Sequence, residues 1–484
     1  MIRSGESTAT ADSSVSDFRA LGQLLDMPLS FFGFALWRAW VSLAVASPAY
    51  PLPLMQQTGQ VAYDAILAAA CGAGALLSKR LSPLNGRLWP FFLAGILMAG
   101  STAMNVAATF HPALTVFALP CVVAAGVGSA LLILLWCEIY SCLSPVRTAV
   151  YYALTLILGV FLTFVLEGFR GPWFYGALVL LPIMSVGLAH RSYHRRLASR
   201  DRPDPSCRAL VPWKFIIVVA LYEIVAGLSA AYVGGGYGNL VGPHSTAATL
   251  LAGIALFVWV FWLSDRFPLS MLYRAPVVIV ACGLVALPLL GLSNGVVGAL
   301  CVSMGSTLFS CVIFLFLCDI SKRLGIAALC LFGIEEALIP LKWGGAALGG
   351  ALRSGEVLGV STQGVALLVA VGLVVGLSLL LVNDREVGTR WGITLLGKAQ
   401  RDAAAGRREE VLCDQLAEAS GLTPRETEVL ALLAQGKSLS QVASSLFIAE
   451  GTAKAHTRHI YEKLGINTRQ ELFDLLKVNP KGRA

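Results

Sequence analysis

The chain has 484 residues, of which 56% are hydrophobic and only 13% charged, with a formal net charge of +8. A soluble domain carries about 25% charged residues, so a wholly water-solvated protein is excluded, and the length calls for more than one unit. The mean hydropathy is +0.73. Charge is also unevenly spread: residues 1–383 hold long uncharged runs, while 384–484 are dense in Arg, Lys, Asp and Glu. The shift at Asn383-Asp384-Arg385 predicts a domain boundary. The eleven cysteines are scattered, as at Cys71, Cys121, Cys137, Cys282, Cys301 and Cys311, without a Cys-x-x-Cys pair or a His at ligand spacing. They read as small hydrophobes, and no disulfide framework, metal site or cofactor is expected.

Residues 1–28 form a polar, Ser-rich tail without a cleavable signal pattern. A hydrocarbon core about 30 Å thick needs about 20 apolar residues per helix. Windows of that size predict twelve membrane helices over 29–383, beginning near Leu29, Gln60, Leu88, Ala113, Thr148, Pro172, Phe215, Ser245, Ala275, Gly295, Ile326 and Ser361. Loops after even-numbered helices carry Lys79, Arg80, Arg87, Arg147, Arg191, Arg195, Arg196, Arg200, Arg202, Arg208, Lys214, Arg266, Arg274, Lys322 and Arg323. Loops after odd-numbered ones carry only Arg170 and Arg353. Cytoplasmic loops hold the excess of Lys and Arg, so both termini are expected in the cytoplasm of a bacterial cell, the chain being multi-pass in its inner membrane.

The basic central loop suggests two six-helix halves. Gly128-Ser129 with Cys137-Glu138-Ile139 resembles Gly305-Ser306 with Cys318-Asp319-Ile320, although the spacing differs between the two copies. This architecture resembles the major facilitator superfamily. That family carries an Asp in the loop between helices two and three, whereas here the loop reads Gly74-Ala75-Leu76-Leu77-Ser78-Lys79-Arg80. The departure puts the family's rocking transport in doubt, not its fold. Ionisable groups inside apolar spans are functional candidates. Arg38 in helix one and Glu223 in helix seven, equivalent under the two-halves reading, form either a small-molecule ligand site or a structural ion pair between the halves. Glu335-Glu336 and Lys342 raise the same choice. Glu138 and Asp319 are expected to pair with loop arginines, and Gly344-Gly345 and Gly349-Gly350 to permit close helix packing.

After a mixed-charge linker, 384–421, short amphipathic helices with explicit caps begin. Thr423-Pro424-Arg425-Glu426 is a capping box with Pro at the first helical position, followed by Val429, Leu430 and Leu433 on one face. Gly436 stands at a C-cap position. Ser438-x-x-Gln441 opens a second helix with Val442, Ala443 and Leu446 inward. A longer helix runs from Glu450 to Leu464 and stops at Gly465, and Thr468-x-x-Glu471 caps a fourth, with Leu472, Leu475 and Leu476 apolar. On the long helix Ala453, Thr457, Ile460 and Leu464 face inward. Glu450, Gly451, Lys454, Ala455, Arg458 and Tyr461 face out, where they can enter a major groove.

The run Leu422-Thr-Pro-Arg-Glu-x-Glu-Val-Leu430, with Ile448-Ala-Glu-Gly-Thr-Ala-Lys-Ala-His456 and Ile460-Tyr-x-Lys-Leu-Gly465, resembles the LuxR/NarL DNA-binding domain. The resemblance covers 422–484. It implies that Lys454 and Ala455 approach bases of double-stranded DNA, that Arg458 adds base or phosphate contact, that Thr452 touches the backbone, and that His456 packs or meets a phosphate. It also implies a homodimer on DNA through the fourth helix, with Leu472, Leu475 and Leu476. Ala449, Leu439 and Ala453 depart from the family's usual Ser, Asn and Val, and the lost cap weakens the helix by about 1 kcal/mol. From Thr423 on, nine Lys and Arg stand against six acidic residues, so one copy binds weakly at physiological salt. The chain therefore reads as all-α, a twelve-helix bundle with a four-helix reader of DNA, and not as an enzyme. Three functions stay open: a one-component transcription regulator whose membrane half senses a ligand or membrane state, a transporter with a fused regulatory domain, or a transporter or membrane scaffold whose C-terminal unit has lost DNA binding. Gly234-Gly235-Gly236-Tyr237-Gly238 reads as a flexible outer turn.

Overall fold

Proline punctuates the apolar runs. At the first positions of a helix its missing N–H costs no intrahelical bond, and four long helices open in this way: α2 (Pro53–Leu76), α3 (Trp89–Phe110), α5 (Pro145–Glu167) and α6 (Pro172–Ser192). The computed structural model describes residues 29–45, 52–194, 213–233, 245–260, 275–284 and 296–354, and in the C-terminal part chiefly 420–434 and 450–466. Before α2 stands α1 (Gly33–Ala44), and between α3 and α5 stands α4 (Ala118–Ser141). The later helices are α7 (Trp213–Val233), α8 (Thr246–Val258), α9 (Ala275–Leu284), α10 (Val296–Leu324), α11 (Ala328–Ala337) and α12 (Ile339–Ser354).

Among the described residues, six helical segments are long and apolar enough to cross a membrane: Gly59–Leu76, Trp89–Phe110, Pro112–Ser141, Pro145–Glu167, Pro172–Ser192 and Val296–Lys322. Four further expected windows hold shorter apolar helices, at Leu29–Ala44, Ile216–Ala231, Thr246–Val258 and Ala275–Leu284. The eleventh window is divided into α11 and α12. Pro340 cannot donate to the carbonyl of Glu336, and the chain turns through three-residue bonds instead, Leu338 N to Glu335 O at 3.0 Å and Leu341 N to Leu338 O at 2.9 Å. The twelfth window lies almost wholly outside the described residues. At its start stands a minimal antiparallel pair, Glu356–Val357 with Val360–Ser361. The N-terminal tail, the Gly234–Gly238 turn, the second and fourth HTH caps, Leu475 and Leu476 also lie outside the described residues.

The chain divides into two compact units, Met1–Leu396 and Gly397–Ala484. In the first unit a core of large side chains, among them Phe31, Trp40, Trp136, Tyr140 and Tyr151, is fully buried. Phe92, Phe164 and Trp173 stand on the outer surface at 66%, 75% and 79% exposure, which in a helical unit of this composition is a face for lipid chains rather than water. Helices α1 to α6 pack mainly among themselves, and α2 with α11, α5 with α8, and α4 with α10 join them to the later helices. Tyr152 on α5 stacks on Phe314 of α10 with ring centroids 4.0 Å apart.

Glycines set the closest approach. A Cβ on Gly345 of α12 would stand 2.1 Å from the carbonyl oxygen of Ile224 on α7. One on Gly227 of α7 would stand 1.8 Å from that of Lys342, while Gly344 and Gly350 have nothing within 4 Å. One member of each expected Gly-Gly pair thus carries the helix contact. Glu138 meets a different partner from the one expected. Its carboxylate accepts from the backbone N–H groups of Leu84 and Asn85, both at 3.0 Å, and from Asn85 Nδ2 at 3.0 Å. It pins the loop between α2 and α3 by its backbone rather than by an arginine, because buried amide donors must be satisfied.

In the second unit, α13 (Pro424–Ala434) and α14 (Glu450–Leu464) pack through Val429, Leu430, Leu433, Ala453 and Ile460, with Val442 and Ala443 from the chain between them.

Candidate nucleic-acid interface and buried membrane charges

The interface is built on α14, and its two ends show how the sequence fixes it. At the start of α13, Glu426 N donates to Thr423 Oγ1 at 3.3 Å and Thr423 N donates to the Glu426 carboxylate at 2.8 Å, the reciprocal bonds of a capping box. The same carboxylate receives Lys463 Nζ, from the last turn of α14, at 2.7 Å. Lys463 also donates to Gly421 O at 3.1 Å. Glu426 is therefore one buried hub for both helices, and the Lys463 ammonium with the Thr423 amide holds its carboxyl down at about 2. At the far end Gly465 takes φ +68°, and Ile466 N reaches back to Tyr461 O at 3.0 Å. Glycine adopts this left-handed turn without strain.

With the helix anchored, its two faces separate. Ala453 and Ile460 are fully buried, Thr457 and Leu464 half-buried. Gly451, Thr452, Lys454, Ala455 and Arg458 are exposed, and His456 is half-buried at the edge. Tyr461 departs from the expectation: it packs partly against the core rather than standing on the open face. Arg458, at 80% side-chain exposure, donates to Glu462 at 2.8 Å, a surface pair worth at most about 1 kcal/mol and readily exchanged for a phosphate. Leu472 is fully buried in the domain's own core.

In the membrane unit, Arg38 and Glu223 do not pair directly. Glu336 is within electrostatic reach of Arg38, Glu223 and Asp64, and Lys342 within reach of Glu223 and Asp64. The charges gather where α2 and α7 meet the break between α11 and α12. Asp64 was missed by sequence reading; it accepts from Trp343 Nε1 at 3.0 Å. Its position as the lone acidic or basic side chain in the α2 span was the available signal. Arg38 faces elsewhere, into a small polar cavity with Val41 and Ser42 of α1, Leu156, Gly159 and Val160 of α5, and Thr246 and Thr249 of α8.

Comparison with known proteins places the two units differently. Residues 420–476 match the family model of bacterial regulatory proteins, luxR family. A putative HTH-type transcriptional regulator of Aeromonas salmonicida is 46% identical over 54 residues, 11% of this chain and 28% of the relative. The HTH-type transcriptional regulator MalT of Yersinia pestis (strain Pestoides F) is 46% identical over 57 residues, 12% of this chain and 6% of the relative. The chain thus spans well under a third of these relatives. Among solved structures, the major facilitator superfamily transporter FucP in the outward conformation aligns with 72% of this chain and 95% of its own, at a TM-score of 0.44 and 14% identity. Residues 420–476 form a luxR-family helix-turn-helix domain, joined in one chain to a helical unit with six candidate membrane spans.

Proposed function

We propose that the chain is a membrane-bound one-component transcription regulator, whose membrane unit senses a ligand or membrane state and whose luxR-type domain binds double-stranded DNA. The observation that carries this reading is the division of α14. Thr452, Lys454, Ala455 and Arg458 lie exposed, while Ala453 and Ile460 on the other side are locked into the core. Such a helix offers its basic face to a groove without loss of packing. Lys454 and Arg458 reach phosphates or guanine edges, Thr452 the backbone and His456 a phosphate. Binding as a homodimer on a two-fold site offsets the modest charge of one copy. Leu472, Leu475 and Leu476 of the fourth helix are the candidates for that contact. The distribution of Lys and Arg among the loops supports an inner-membrane protein with both termini cytoplasmic, the compartment that holds DNA. Ligand binding in the membrane unit shifts it between two arrangements that differ in how the DNA-binding domain is presented.

The full-length chain in nanodiscs, titrated with fragmented genomic DNA, tests the reading. Saturable binding is expected, about 100-fold weaker in Lys454→Glu, where a favourable phosphate or base contact becomes a repulsive one. Equal binding by the variant contradicts it.

One observation favours a transporter with a fused DNA-binding domain. Helix α11–α12 is broken at Pro340, with Glu335-Glu336 before the break, Lys342 after it, and Glu223 and Asp64 nearby. Broken helices and buried ionisable groups are the usual materials of a transport site. Substrate uptake into proteoliposomes that is abolished by Glu223→Gln supports that reading.

A further inference from the structure

Lys454 and Arg458 reach bases together only if α14 is held at one angle, and the chain just ahead of it offers little local support. Phe447-Ile448-Ala449 separate Leu446 from Glu450, where α14 begins. Ala449, directly before the helix, has no side-chain oxygen to accept from the first free amides. Support comes instead from α13. Leu446 is helical, and its side chain packs partly against the core of the domain. Its carbonyl oxygen accepts from Arg425 Nη2 at 2.9 Å, a contact across 21 positions of the sequence. A guanidinium meets such a carbonyl with a charge-assisted hydrogen bond. The other arm of the same fork, Nη1, donates to the Glu428 carboxylate one turn along α13. A planar fork engaged on both arms fixes a direction, as a flexible ammonium does not. The next residue completes the arrangement: Glu426 accepts from Lys463 Nζ, in the last turn of α14, at 2.7 Å. Consecutive residues in the first turn of α13 therefore grip the chain just ahead of α14 and at its far end.

We propose that the first turn of α13 is a bracket that sets the angle of α14 on DNA, with Arg425 as its specificity-determining arm. Arg425 is a positioning residue: it acts through Leu446 and leaves contact with the bases to Lys454 and Arg458. The proposal rests on the DNA-binding reading and goes beyond it, placing part of the discrimination between sequences on a residue outside α14. The Arg425 side chain is 44% exposed, so its bonds add little to the stability of the domain. Discrimination between sites depends on the angle those bonds hold.

The test uses the full-length chain in nanodiscs. Sheared genomic DNA is carried through rounds of selection on the wild type, and the enriched fragment is compared with a random-sequence duplex of the same length. Three quantities are read: the ratio of the two affinities, the slope of log affinity against log salt, and hydrogen–deuterium exchange in α13 and α14. Arg425→Met keeps the aliphatic stem and removes the fork. It should lower the ratio about tenfold, the discrimination of roughly one base contact, by weakening the selected fragment alone. Salt slope and amide protection should stay at their wild-type values. Arg425→Lys should recover part of the ratio, since one donor still reaches the Leu446 carbonyl, and Glu428→Gln, which frees one arm, should lower it severalfold. Should Arg425→Met not fold, Arg425→Lys and Glu428→Gln decide by the same readings. A slope smaller by about 0.9, with both affinities weakened alike, marks a phosphate contact and overturns the proposal. An unchanged ratio overturns it too, as does a lower ratio accompanied by lost protection throughout α13 and α14, the sign of a merely structural role. If the wild type selects no fragment, or Lys454→Glu binds the fragment equally well, the DNA-binding reading fails and the proposal with it. If Lys454→Glu loses the fragment while Arg425→Met keeps its ratio, the proposal alone fails.

Discussion

Glu426→Gln removes the charge of the hub between α13 and α14 while preserving its size. In the native domain the carboxylate accepts from Lys463 Nζ at 2.7 Å, Thr423 N at 2.8 Å and Thr423 Oγ1 at 3.0 Å. Its carboxyl is held at about 2, against an ordinary 4.5. One pKa unit corresponds to about 1.4 kcal/mol, so the depression corresponds to about 3 kcal/mol. Lys463 is 36% exposed, and solvent screening of that partner reduces the figure to about 2 kcal/mol. The folded value lies below the unfolded one. The stabilisation is therefore complete above about pH 4.5 and is lost as the pH falls towards 2. Hydrogen–deuterium exchange of the full-length chain reads the effect locally. At pH 7 the amides of Val429 to Leu433 and Ala453 to Ile460 should lose about 30-fold in protection, since about 1.4 kcal/mol is tenfold. The gap between wild type and variant should close in acid. Equal protection at pH 7, or a gap that widens in acid, refutes the reasoning.

Gly345→Leu should prevent α7 and α12 from packing and abolish a monodisperse membrane unit in size-exclusion chromatography, whereas Gly344→Ala should behave as wild type. Glu138→Ala leaves the amides of Leu84 and Asn85 without an acceptor, and should raise the reactivity of a cysteine placed at Ser82 towards a water-soluble maleimide at least severalfold. Lys322→Ala removes a cation that donates to the carbonyls of Cys142 and Leu143 at the end of α4, at 3.2 and 3.3 Å. It should lower the unit's melting temperature by a few degrees, consistent with a helix-terminus charge worth about 1 kcal/mol.

Local signals in the sequence translated directly into structure. Thr423 and Glu426 spell a capping box and form one; Gly465 stops α14 because a left-handed residue was needed there. Composition marked the apolar windows because lipid constrains them so strongly. Non-local choices were hidden. The doubled glycines at 344–345 and 349–350 do not say which member faces α7, since that depends on helix phase; Gly345 and Gly349 do. Glu138 finds backbone amides fifty-odd residues away that no pattern near it announces. Leu472 is apolar, and its own core and a partner copy demand the same residue type, so the residue type alone does not foretell its burial in the domain's core. Arg38 and Glu223 occupy corresponding helices, yet correspondence between halves does not set side-chain reach. Arg38 lines a cavity with α5 and α8, while Glu223 lies in reach of Lys342.

The claim that one chain is both embedded in a membrane and bound to DNA is tested most directly by crosslinking cells, pelleting their membranes and sequencing the DNA that co-purifies with the intact chain. Discrete enriched sites in wild type that vanish in Lys454→Glu are expected. No enriched sites in the membrane pellet, or the same sites in the variant, would contradict the account.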